Sequence, residues 1–431
     1  MMWLWSDLLK ISILIWFWLE FIWQAYLNRR QFNKVLNTHE LPREIRFIMP
    51  PPILMVSRKY TLENLDFILA KSMVSLIFSS VIIYSDYMVK IWNFAYTIDP
   101  YKSEIFTGCV WFAILYTLTS IIDLLFELYH NFVLEKNLEM PIMTFKQLFI
   151  QFLTDFIIIQ VFSMVIAALV VKVIQLAGCY FFVMMWILCS ILLSVFTSLI
   201  QLLDYPENPS LVDFPQSDLK RQIENLCREL EFPLEKIELL LQSHSMEEHS
   251  CVYYYGMFKK HLVISVNILP LTEIDDSLED EEILALIIHQ LGHWYKNHDI
   301  KKFFILQAAL LIWFFLFIYA FERKVVYEAV GFYESKPILV GILITLQYVT
   351  MPYNVLMTFT LISWSRTFEY EADRFAVHLG MKSALQRALI KIYVVSFQFP
   401  VLDPLYSQHN FHHPSLFERI QHLNEGSLIG M

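Results

Sequence analysis

Apolar positions in this chain come in long blocks, not in the alternating pattern of a soluble fold. Seven blocks approach the ~20 residues that a bilayer crossing needs: 3–27, 66–84, 106–126, 149–171, 179–203, 303–321 and 338–362. Each predicts a transmembrane helix. The first carries Asp7, Lys10 and Glu20 and is too long for a cleaved signal peptide, so it reads as a span. Asp7, Lys10, Glu20 and Asp123 lie inside apolar runs, where ionisable groups face a bundle interior or an aqueous cavity.

The polar stretches set the orientation. After the first block come Arg29, Arg30, Lys34, Arg43, Arg46, Arg58 and Lys59. The next loop holds Asp86, Asp99 and Glu104 against Lys90 and Lys102. Basic loops stay in the cytosol, so the N-terminus is expected in the lumen and, after seven crossings, the C-terminus in the cytosol. The polar segment 204–302 lands there too. Four regions follow: five spans in 1–203, a cytosolic insertion in 204–302, two spans in 303–362, and a cytosolic segment 363–431.

Within the insertion the periodicity shortens. Residues 204–215 read as a proline-rich linker, 217–231 as an amphipathic helix, and 236–241 as a strand. Val252 to Tyr255 and Leu262 to Val266 read as a hairpin around Gly256. An acidic run, 275–282, precedes an apolar helix over 283–295, where it complements the helix dipole. The expected fold class is an all-α membrane protein with a small α+β cytosolic insertion.

Composition agrees. Mean hydropathy is +0.48 and charged residues make up 17% of the chain, against about 25% in soluble domains. No basic patch is interleaved with aromatics, which argues against a nucleic-acid partner. Cys109, Cys179, Cys189, Cys227 and Cys251 show no CxxC spacing, so neither disulfides nor a cysteine metal site is expected.

One stretch carries chemistry. His289 and His293 are four residues apart, one helical turn, as two ligands of one zinc require. Thirteen histidines in 431 positions give roughly 0.4 such pairs by chance, so the pair needs context. Glu369 and Asp373 lie after the last span, the first a candidate third ligand, the second placed to orient a ligating histidine. Two spans separate His293 from Glu369, and an even number returns the chain to the same membrane face.

With Trp294 after His293, the run Ser365-Arg366-Thr367-Phe368-Glu369-Tyr370-Glu371-Ala372-Asp373-Arg374-Phe375-Ala376, and the run His413-Pro414-Ser415-Leu416-Phe417-Glu418-Arg419, the chain resembles the type 1 CAAX prenyl proteases. These are integral-membrane zinc enzymes that cut farnesylated C-terminal peptides. The resemblance implies seven helices forming a barrel around a water-filled chamber, capped by one Zn2+ on the cytosolic side. It implies His289, His293 and Glu369 as ligands, Asp373 as a catalytic or supporting acid, and His413 and Arg419 at the oxyanion or substrate carboxylate. It implies substrate pairing along Cys251, Val252 and Tyr253. It also implies the endoplasmic reticulum or nuclear envelope.

The chain departs from that pattern at Gln290, where the family's HExxH has its catalytic glutamate. The glutamate takes a proton from the attacking water and passes it to the leaving amine. A neutral amide has nearly the same shape and cannot cycle a proton, so the expectation is a loaded site with little turnover. Glu→Gln is the usual isosteric exchange for trapping substrate, and it is equally a mark of a natural pseudoprotease. Other departures are Cys251 for an asparagine, Ser415 for a proline, and Leu203-Asp204-Tyr205-Pro206 where the family has Pro-Leu-Phe-Asn.

Blander readings stand beside these. His298, five residues past His293, is off the ligand face and reads as a solvated or packing histidine. His412 adjoins His413, and motif register favours His413. The Tyr253-Tyr254-Tyr255 run reads as a half-buried strand. Two other functions fit the span pattern: a non-catalytic protein that holds prenylated or membrane-embedded polypeptides, and a channel or transporter. The second is disfavoured by the absence of inverted repeats with paired Gly/Pro breaks.

Overall fold

The computed structural model describes residues 2–46, 50–137, 143–177, 180–203, 211–241, 252–256, 259–269, 278–394 and 399–425. They divide into two compact units: residues 1–32, 59–187 and 309–357, and residues 33–58, 188–308 and 358–431.

Five helices are long and apolar enough to cross a bilayer: Trp5–Asn37, Pro51–Tyr84, Glu104–Glu135, Phe145–Leu176 and His298–Phe321. In Phe145–Leu176 the best window has a mean hydropathy of 2.6 with only 11% of it buried, so protein does not cover this surface and lipid must. Phe162, Leu169 and Phe315 are among the large exposed side chains. The protein is a multi-pass membrane protein.

A sixth span is broken. Ile338–Val349 and Met351–His378 meet at 52°. The break has two local causes. A π-turn covers Thr345–Val349, and Pro352 supplies no amide hydrogen at the start of the next helix. Thr350 closes the gap: its hydroxyl lies 3.0 Å from Thr345 O and its amide donates to the same carbonyl. The expected span 179–203 is the helix Phe181–Leu203, whose apolar portion among the residues with described side chains is Val183–Ser194. Five or six spans therefore meet the length criterion among the described residues, where the sequence suggests seven.

The first unit packs around Trp111, which is fully buried and donates its indole N–H to Met88 O at 3.0 Å. Tyr327 lies directly over Gly341, where a Cβ would fall 2.1 Å from the phenol oxygen. Only glycine fits there.

The second unit carries a four-stranded sheet in the order β1-β2-β4-β3: β1 Leu211–Asp213, β2 Leu234–Leu240, β3 Val252–Tyr255 and β4 Lys260–Ser265. β3 and β4 form the expected antiparallel hairpin, turning at Gly256 with φ +103°. β2 and β4 pair in parallel, and β1 falls inside the stretch read as a linker. Helix Asp218–Glu229 starts where expected, with the Ser217 hydroxyl accepting from Lys220 N. Phe232 packs edge-on against Trp294, centroids 5.1 Å apart, which joins the end of that helix to the histidine motif.

Candidate metal centre

Two helices build the site. The histidine helix, Asp280–Tyr295, opens with a capping box in which Glu279 and Glu282 satisfy each other's backbone amides. Glu282 is fully buried and also accepts from Lys391 Nζ at 2.8 Å and Arg387 Nε at 3.1 Å, pinning the start of the helix. His289 and His293 follow on one buried face. The glutamate helix, Met351–His378, brings Glu369 and Asp373, spaced one turn apart, to meet them. The helices touch at Gly292, where a Cβ would stand 3.3 Å from Ala372 Cα and 3.1 Å from Phe375 Cδ1. A larger residue would hold them apart.

Among the described residues His289, His293 and Glu369 form the one group able to hold a metal ion, with ligand atoms within 4.8 Å of one another. His289 Nε2 and His293 Nε2 are 3.3 Å apart. Glu369 Oε2 is 3.4 Å from His289 Nε2, and Oε1 is 3.4 Å from His293 Nε2. Tetrahedral ligands at about 2.0–2.2 Å from zinc lie about 3.3–3.6 Å from one another. The two histidine nitrogens have that spacing, and each has it to one oxygen of the Glu369 carboxylate. Glu369 Oε2 is buried and accepts no hydrogen bond, which a cation would correct. The residues fit a metal.

The outer contacts fix which nitrogens face it. His289 Nδ1 is 2.9 Å from Asp373 Oδ1, so its Nε2 is turned inward. Asp373 is itself gripped by Arg419, through Nη2 to Oδ1 at 2.6 Å and Nε to Oδ2 at 2.9 Å. Both are buried. Burial alone would raise the Asp373 carboxyl, but the Arg419 charge and the His289 hydrogen bond hold it down to about 2. For His289, burial opposes the charged ring, and the Asp373 hydrogen bond and the nearby Glu369 carboxylate outweigh it, raising the metal-free imidazole to about 9. Burial and the neighbouring His289 push His293 down to about 2. Burial works to raise Glu369, but the neighbouring His289 and His413 rings keep it well below the usual carboxylate range. The centre thus sets buried carboxylates against two imidazoles at one point, a place a divalent ion can take.

His413 stands at the open rim, with Nδ1 3.4 Å from Glu369 Oε1 and its side chain 43% exposed. Arg366 and Glu418, one from each of the two later motifs, hold this segment in place. Arg366 Nη2 donates to Glu418 Oε1 at 2.8 Å and Nη1 to Ser407 Oγ at 3.0 Å. Ser415, the departure from proline, caps the helix Leu416–Glu425: its amide and hydroxyl both reach Glu418 Oε2. That substitution keeps the local fold. Arg419 is buried and grips Asp373 inside the site.

Gln290 is half-buried beside His289. Val252 and Tyr253 lie on β3, an edge strand of the described sheet, Val252 buried and Tyr253 half-buried. Cys251 and residues 204–206 lie outside the described residues. A groove of about 630 Å³ opens beside His413, with Leu361, Trp364, Phe368, Phe411 and His412 among its lining.

Of the two readings of His298, solvated or packing, the structure favours packing. The residue is not solvated: its exposure is 0%. Its Nδ1 lies 3.0 Å from His293 Nδ1 and its Nε2 lies 3.0 Å from Glu371 Oε2. Counted along a helix, five residues past His293 falls off the ligand face. The chain instead turns at Asn297, φ +55°, and folds His298 back against His293.

The fold and this buried group define a membrane metallopeptidase architecture. The family model for the CAAX prenyl protease N-terminal region, with five membrane helices, matches residues 31–205, and that for peptidase family M48 matches 213–427. The human CAAX prenyl protease 1 homolog is 28% identical, covering 96% of this chain and 94% of its own length. The Arabidopsis thaliana homolog is 29% identical over 93% and 94%. The crystal structure of S. mikatae Ste24p superposes with a TM-score of 0.74 at 25% identity, covering 96% of this chain and 98% of that one. The chain belongs to the CAAX prenyl protease family of M48 metallopeptidases.

Proposed function

We propose that this chain is a zinc-binding CAAX-type membrane peptidase whose hydrolytic step is disarmed at Gln290. One observation carries the reading. The candidate ligands His289, His293 and Glu369 converge within 4.8 Å of one another, while the adjacent position for a general base holds a neutral amide. Zinc, when bound, supplies a Lewis acid that activates water and polarises a peptide carbonyl. The rest falls to side chains. His289 and His293 offer Nε2, with Asp373 holding His289 in its tautomer. His413 at the rim is placed to donate a hydrogen bond to the oxygen of a carbonyl under attack. The edge strand β3 offers backbone groups to an extended substrate. The groove beside His413 accepts apolar substrate side chains.

Gln290 can orient a water but cannot accept its proton and deliver it to the leaving amine. Loss of general acid–base help costs about 10²–10⁴ in rate, or about 3–5.5 kcal/mol. The substrate class is a farnesylated C-terminal CAAX peptide, met at the endoplasmic reticulum membrane with the site on the cytosolic side. The same residue favours a second reading, a pseudoprotease that holds prenylated or membrane-embedded polypeptides without cutting them.

The purified full chain in lipid nanodiscs tests both. It is expected to carry close to one zinc per chain and to bind a fluorescent farnesylated CAAX peptide with little release of the tripeptide. A chain that holds no zinc and binds no such peptide would remove both readings.

A further inference from the structure

We infer that His298 and Glu371 are positioning residues for the metal ligand His293, acting as a two-membered relay that fixes its tautomer. The inference rests on the reading of His289, His293 and Glu369 as a metal site.

The argument is one of donors and acceptors. Glu371 Oε2 lies 3.0 Å from His298 Nε2, and an ionised carboxylate only accepts. His298 Nε2 therefore carries the hydrogen. In a neutral imidazole this leaves Nδ1 of His298 as the acceptor. That atom is 3.0 Å from His293 Nδ1, which must then be the donor. His293 Nε2 is left with its lone pair, directed at the point it shares with His289 and Glu369. Had the hydrogen sat on His293 Nε2, that atom could not bind a metal held between it, His289 and Glu369.

The two ligating histidines thus receive different support. His289 leans directly on a carboxylate, Asp373, whose charge Arg419 balances. His293 reaches its carboxylate through a second imidazole. The relay is held by packing as well as by hydrogen bonds. The His298 ring stacks on Phe368, with centroids 4.4 Å apart and planes 16° apart, and meets the His293 ring edge-on at 5.0 Å. Phe368 precedes Glu369 and Glu371 lies two residues beyond it, so the helix that supplies the third ligand also supplies both supports of His298. Groups that orient a ligating histidine typically change metal affinity 10–100-fold when removed.

The test separates positioning from simple packing by two substitutions with opposite expectations. His298→Phe keeps an aromatic ring against Phe368 and removes the acceptor. His298→Asn loses the ring, while its amide oxygen can stand where Nδ1 stood. Glu371→Leu, at the half-exposed end, leaves the His298 ring in place and frees its tautomer. Full-length wild type and the three variants are titrated with zinc against a chromophoric chelator, and their cobalt-loaded forms are compared by visible absorption. The expected result is about a 10–100-fold weaker affinity in His298→Phe, a smaller loss in Glu371→Leu, and His298→Asn within about threefold of wild type with an unchanged cobalt spectrum. Wild-type affinity in His298→Phe, or His298→Asn weaker than His298→Phe, overturns the relay while leaving the metal site standing. A wild-type chain that binds neither metal overturns both.

Discussion

At the scale of single residues, the metal centre is a set of directed hydrogen bonds, and each has a measurable share. Asp373 sets the tautomer of His289 and stays ionised because Arg419 grips it. Asp373→Asn keeps the shape and removes the charge. It is expected to weaken zinc binding about 10–100-fold with little change in secondary structure, measured by competition with a chelator. Unchanged affinity would mean that Asp373 serves the fold and not the ligand. His289, His293, Glu369 and Asp373 were legible in the sequence because helical spacing of four residues states a shared face by itself, and the motif around Glu369 supplies the rest. His298 and Glu371 were not legible. Their meeting depends on the left-handed turn at Asn297, and a single non-glycine residue at positive φ leaves no periodic signal. Nor was the pairing of Arg366 with Glu418, which lie 52 positions apart.

At the scale of elements, the question is what holds two helices close enough for three ligands to converge. Gly292 is the point of nearest approach. Gly292→Ala gains at most about 1 kcal/mol of helix propensity but must displace Phe375 or the glutamate-helix backbone, at about 1–3 kcal/mol of overpacking strain. Thermal unfolding is expected at lower temperature, together with weaker zinc binding; a more stable variant would show that the contact has slack. Glu282 secures the other end of the histidine helix. Burial works to raise its carboxyl, but Lys391, the Glu279 amide and Arg387 hold it below its ordinary value of 4.5. A depressed carboxyl contributes stability that is fully present above about 4.5 and is lost as pH falls through the folded-state value. Glu282→Gln should therefore lower stability at pH 7 by about 1–3 kcal/mol and flatten its acid dependence below pH 4.5. Parallel pH profiles of wild type and variant would contradict this. The β3–β4 hairpin could be read in advance because Gly256 and alternating side chains are local signals. The parallel β2–β4 pairing and three-residue β1 could not, because their partners lie far along the chain.

At the scale of the whole molecule, the dominant feature is apolar surface that the protein does not cover. Helix Met2–Asn37 has 36 residues, about 54 Å at ~1.5 Å per residue, well beyond the ~30 Å hydrocarbon layer. Long helices of this kind stand out in a sequence because lipid imposes one rule along their length. Their exact number does not, since a span broken at Thr350 and Pro352 reads the same as a straight one. The charge of the loops predicts the orientation. A glycosylation acceptor fused to the N-terminus is expected to be modified in microsomes, and one fused to the C-terminus is not; the reverse pattern would place the metal centre in the lumen. The central claim, a complete peptidase scaffold silenced at one position, has its most direct test in one exchange. The chain and its Gln290→Glu variant, both zinc-loaded, are assayed for release of the tripeptide from a farnesylated CAAX peptide, with and without chelator. The account predicts cleavage by the glutamate form alone, faster by about 10²–10⁴-fold and abolished by chelation. Equal rates in the two forms, or no cleavage by either while both hold zinc, would contradict it.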